Sequence, residues 1–177
     1  MSEVNVGTVL DTVSGKHAIL TQTVSNTKSL IIPLTTLFGL GTDYVANDTL
    51  SGKLTLTGIS GLVGQACTIM SVLITDKVKV NQGMQLIFFN ANPATSTFTN
   101  GAAMSITPAD IAKVVGVVEI LSTDYIEVGA TSFVQKVVGG LQISPAAGVD
   151  MYAALLCVDG GLYTSATDLT LTINVQQ

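Results

Sequence analysis

His17 is the only histidine in the chain, so a serine–histidine–aspartate relay would have to be built on it. Its serine could only be Ser60, in Gly58-Ile59-Ser60-Gly61-Leu62, where the second glycine stands one residue away from nucleophile-elbow spacing. His17 itself lies in a strand-like run, where an ordinary surface or half-buried histidine is expected. Two carboxylate pairs have spacing suited to acid–base work or cation binding: Asp43 with Asp48, and Asp124 with Glu127. Neither carries the glycine and terminal glutamate of a calcium loop, so both read as solvated turn acids. Gly39-Leu40-Gly41 opens a dinucleotide fingerprint, but Tyr44 occupies the place of its last glycine. Gly15-Lys16 and Gly52-Lys53 lack the flanking residues of a phosphate loop. Cys67 and Cys157 have no CxxC partner or nearby histidine, so they read as buried, reduced strand cysteines; a disulfide would require neighbouring strands. No catalytic constellation, cofactor site or metal site is expected, and the chain is not expected to be an enzyme.

Composition points elsewhere. The chain has 177 residues and a mass of 18.2 kDa, enough for one domain with a substantial core. Charged residues make up only 11%, against about 25% in typical domains. Either Thr, Ser, Asn and Gln wet the surface, or much of it is hidden in an assembly. Net charge is −5, every basic residue is lysine, and the lysines are dispersed, so no nucleic acid is expected as a partner. The run 54–75 is uncharged, but Gly58, Gly61, Gly64 and Gln65 interrupt it, and no membrane partner is expected. The N-terminus lacks the basic and apolar regions of a secretory leader, which points to cytosolic synthesis.

The elements that must position these residues are mostly strands. In Asp168–Val175, Leu169, Leu171, Ile173 and Val175 alternate with polar residues, the pattern of a half-buried antiparallel strand. The runs 68–75, 84–89, 114–121 and 151–158 are apolar throughout, as suits strands covered on both faces. Glu119 interrupts one of them and is expected to face solvent or a subunit boundary. Ser14-Gly15, Ser51-Gly52, Asn100-Gly101, Gly139-Gly140 and Asp159-Gly160-Gly161 read as turns, at a spacing near that of a β-sandwich or barrel. Thr107-Pro108-Ala109-Asp110 signals one short capped helix, to about Lys113. Residues 1–30 read as an N-terminal arm or strand pair, and 31–177 as the main domain.

Four stretches carry a resemblance: TDYVAND at 42–48, LIFFNANP at 86–93, TFTNGAAMSITPADIAKVVGVVEI at 97–120 and MYAALLCVDGGLYTSATDLTLTINV at 151–175. Their order and spacing resemble the capsid decoration (cement) proteins encoded in tailed-bacteriophage head-gene clusters. Members often carry an arginine after the first motif, and residues 60–70 here contain none. The resemblance implies a single-domain β-sandwich of jelly-roll type on the virion. It also implies a homotrimer that docks on the major capsid protein at the outer surface of the head. Candidate partner contacts are Val4 and Val6 in the arm, and Asn92, Pro93, Phe98 and Asn100 in the uncharged excursion between two core strands. The alternative is a head or tail fibre domain binding a host receptor or glycan. A non-viral shell subunit is a further rival.

Overall fold

The computed structural model describes residues 9–10, 17–18, 27–33, 42–165 and 167–177. Thirteen strands appear in chain order: β1 (Val9–Leu10), β2 (His17–Ala18), β3 (Thr27–Pro33), β4 (Thr42–Tyr44), β5 (Thr49–Leu56), β6 (Cys67–Asp76), β7 (Met84–Phe89), β8 (Val114–Ile120), β9 (Ile126–Val128), β10 (Thr131–Ile143), β11 (Met151–Cys157), β12 (Gly161–Tyr163) and β13 (Leu169–Gln176). Among the described residues one α-helix, α1 (Pro108–Ile111), precedes β8, and a 3-10 turn, Ser122–Asp124, follows it. The protein is all-β, and the pairings among its described strands are all antiparallel.

Two sheets dominate. One has five strands in the order β3-β13-β6-β10-β9, the other four in the order β5-β11-β7-β8; β1-β2 and β4-β12 form small ribbons. The expected arm boundary at residue 30 falls inside β3, which pairs with β13 over its whole length. A single buried cluster draws on both sheets, including Leu50 and Leu56 of β5, Val72 and Ile74 of β6, Leu86 and Phe88 of β7, and Leu171 and Ile173 of β13. The alternation in β13 puts its four aliphatic residues into this core.

The uninterrupted apolar runs have a second cause. β7 and β8 pair directly, and residues 90–113 between them fold back over the outer face of the four-stranded sheet. Phe98, Met104 and Ile106 pack there on Ile87, Phe89 and Ala154, with the Phe98 and Phe89 rings edge to face at 5.7 Å. Strands β7 and β11 are therefore covered on both sides, and their sequences need no polar alternation.

Two expectations about punctuation are corrected. Ser51-Gly52 and Gly139-Gly140 are not turns between strands. Each lies inside a strand at a break in the pairing register, in β5 and β10 respectively. Gly140 has φ of 80° and Ser51 has φ of 73°, so these are bulges. The helix is also shorter than expected, ending at Ile111, and the Thr107 side chain does not cap it. Thr107 Oγ1 instead lies 2.7 Å from Thr95 Oγ1. No described helix is long and apolar enough to cross a membrane; residues 54–75 run from β5 through glycine-rich turns into β6.

Candidate docking face

The residues singled out for chemistry are engaged separately. Asp48 is buried and accepts from the Val45 amide at 3.0 Å, whereas Asp43 is exposed. Asp124 accepts from Lys136 at 2.8 Å, and Glu127 pairs with Lys79 at 2.6 Å. Those lysines hold both carboxyls below their ordinary ionisation range. Glu119 is exposed, opposite Gln85. Cys67 and Cys157 are free and buried in different sheets; burial first, then Asp48, pushes the Cys157 thiol up to about 12. Burial likewise raises Tyr44, Tyr125 and Tyr163. Among the described residues no three His, Cys, Asp or Glu side chains group as metal ligands.

The structure spreads the expected partner contacts over different roles. Val4 and Val6 lie outside the described residues. Asn92 is exposed, and its Oδ1 accepts from Lys53 at 2.7 Å. Pro93 is buried and Phe98 is half-buried against Phe89. Asn100 turns inward: its Oδ1 accepts from Tyr44 Oη at 2.7 Å and from the Ser51 amide at 2.9 Å, pinning the β5 bulge. Of these four, Asn92 alone is exposed.

An arrangement missed from the sequence lies on the five-stranded sheet. Its strands contain four charged residues, Lys28, Asp76, Glu127 and Lys136. Register places each opposite a core-facing residue: Lys28 on Val175, Asp76 on Leu169, Glu127 on Ser132 and Lys136 on Val72. Directly opposed residues share a face. All four charges therefore stand on the core side, at its margin, where each has a partner, although Glu127 on the edge strand stays exposed. Lys28 donates to the Gly58 carbonyl at 2.9 Å, and Asp76 accepts from the amides of Val78 and Asn81. Glu127 and Lys136 form the ion pairs already described.

The outward side is left without charge among its described residues. One row across the sheet reads Val137, Ser71, Asn174, Ser29; the next Gln135, Leu73, Thr172, Ile31; the third Ile126, Phe133, Thr75, Thr170. Val137 is 77% exposed, Ile31 69% and Ile126 58%. An antiparallel sheet with one wet face normally alternates apolar-in with polar and charged-out. Here some of the polar outward residues already bond sideways. Ser29 Oγ donates to Asn174 Oδ1 at 2.6 Å, and Asn174 Nδ2 donates to Ser71 Oγ at 2.9 Å. Covering this face would strand few polar groups, which keeps its desolvation cost low.

The signal was present as parity. Thr131–Ile143 places Phe133, Gln135 and Val137 on one side and Val134 and Lys136 on the other. Reading Gly139-Gly140 as a turn hid that strand. No protein-family model matches the chain, and comparison with curated proteins finds no match.

Proposed function

We propose that this chain is a structural protein of a bacteriophage virion, not an enzyme, which docks on the outer surface of the capsid and stabilises it. In this reading it acts as a homotrimer, and the uncharged face of the five-stranded sheet is buried between copies of the chain. The observation that carries the proposal is the parity of charge in that sheet: all four charges are on the core side, with exposed aliphatic residues outside. Protein interfaces are depleted of charge at their centres. A face without charge meets its like without leaving an ion unpaired. The motifs at 42–48, 86–93, 97–120 and 151–175 supply the virion reading.

The two sheets form a sandwich of jelly-roll type in this proposal. In support, the chain crosses repeatedly between them, from β5 to β6, β6 to β7, β8 to β9 and β10 to β11, around the shared buried cluster. A clamp bound only to the assembled shell stabilises it by mass action.

The experiment mixes purified protein with undecorated phage heads and follows co-sedimentation and resistance to heat. Co-sedimentation with raised resistance is expected. Failure to bind, or binding without added resistance, would sink the capsid role.

A further inference from the structure

Away from the docking face, the loop before β11 and the first residues after β7 enclose a cleft of about 240 Å³. Asn90, Asn92, Gly148, Asp150 and Tyr152 line it. Register brings them together, because Tyr152 lies opposite Phe89 at the end of β7. The backbone is fixed on both sides: the Asn90 amide donates to the Lys113 carbonyl at 2.9 Å, and the Ala146 amide donates to the Asn90 carbonyl at 2.8 Å.

The polar groups lining it are only partly used. Asp150 Oδ1 accepts from the Gly58 amide at 2.7 Å, leaving Oδ2. Asn92 Oδ1 accepts from Lys53 at 2.7 Å, leaving its two amide protons. The Lys53 ammonium stands 5.6 Å from the centre of the Tyr152 ring. The Asn90 carboxamide and the Tyr152 hydroxyl have no hydrogen bond within the described residues.

This inventory selects a ligand class. A phosphate would want several cations, and Lys53 is already committed. A divalent cation would want more than one carboxylate at close range. A wholly apolar ligand would leave the amides and the carboxylate unpaired. A polyol satisfies them, since each hydroxyl donates to a carboxylate or amide oxygen and accepts from an amide N–H. The tyrosine adds an apolar surface for ring C–H groups. Drug-sized ligands occupy pockets of about 300–1,000 Å³, so this smaller cleft suits one ring.

We propose that the cleft binds a single neutral saccharide ring. Affinity for the free sugar is on the order of millimolar, as expected for so few contacts, and copies held in one assembly would add avidity on a glycan surface. The site is independent of the docking face.

The test titrates the full-length protein with free glucose, galactose, mannose, N-acetylglucosamine and rhamnose, followed by amide chemical shifts. At least one sugar is expected to give saturable shifts confined to the neighbourhood of Asn90, Asn92, Gly148, Asp150 and Tyr152. Asn90→Ala should weaken that binding about tenfold while leaving the melting temperature in place, because the Asn90 side chain has no hydrogen-bond partner among the described residues. Tyr152→Phe, which removes only a hydroxyl, should weaken it as well. The proposal is overturned if no sugar in the panel shifts these residues, if saturable shifts lie elsewhere, or if both variants bind as wild type does.

Discussion

At the scale of single residues, Asp110 shows how a local motif can be legible in type and wrong in use. The sequence Thr107-Pro108-Ala109-Asp110 predicts a capped helical turn, and α1 does begin at Pro108. The carboxylate, however, serves tertiary structure. Asp110 is fully buried, and Oδ2 accepts from the Thr95 amide at 2.9 Å, Thr95 Oγ1 at 2.8 Å and Ser96 Oγ at 2.7 Å. Oδ1 accepts from Lys113 at 2.6 Å. Asp110 therefore ties the excursion's loop to the helix that ends it, a partnership between residues too far apart for a capping pattern to reveal. Lys113 first, then Ser96 and Thr95, hold its carboxyl well below the ordinary value of 3.8. A depressed folded-state pKa gives stability that is fully present above the unfolded value and lost as pH falls below it. Chemical denaturation of wild type and Asp110→Asn, from neutral pH to below 3.8, should show the wild type losing stability more steeply over the acid range. Other carboxylates contribute equally to both proteins, so parallel slopes would contradict this role for Asp110.

At the scale of elements, strands backed by long apolar runs were the readable ones. β7 and β8 appear at Met84–Phe89 and Val114–Ile120, close to the expected 84–89 and 114–121. Covering on both faces explains the run in β7, but the edge strand β8 departs from that expectation, with Val117 and Glu119 exposed. β10 escaped, because Gly139-Gly140 has the composition of a turn and the local sequence does not disclose that β6 continues alongside it. The same strand explains another glycine. A Cβ on Gly116 of β8 would come within 2.7 Å of Leu141 Cδ1, so glycine lets the two sheets approach there. Gly116→Val should overpack this contact and destabilise the protein by about 1–3 kcal/mol. Denaturant titration of Gly116→Val, Leu141→Ala and the double variant checks the cause. The double variant should be less destabilised than the sum of the singles; simple additivity would mean that Gly116 is needed for some other reason.

At the scale of the whole molecule, the low charge of the chain acquires a location. Composition leaves open whether polar residues wet the surface or an assembly hides part of it, and cannot say where, since that depends on which side of a sheet each lysine and acid occupies. Pairing register supplies this, and the four charges of the five-stranded sheet all fall on the core side. The outward face then resembles half of an interface more than a solvated surface, which leads to a direct test. Val137→Lys places a cation at a site 77% exposed in the single chain, where it should change protomer stability by no more than about 0.5 kcal/mol. Buried between copies, the same ammonium would be desolvated without a partner, at a cost of several kcal/mol per ion. Sedimentation should therefore find wild type well above its protomer mass of 18.2 kDa and Val137→Lys shifted towards it, with matching melting curves at the protomer level. Val63→Lys, at a position 74% exposed in the loop between β5 and β6, is the control and should sediment as wild type. If Val137→Lys associates as wild type does, another surface holds the copies together. If wild type is itself a monomer, the uncharged face must be covered by the capsid, and Val137→Lys should then abolish co-sedimentation with heads instead.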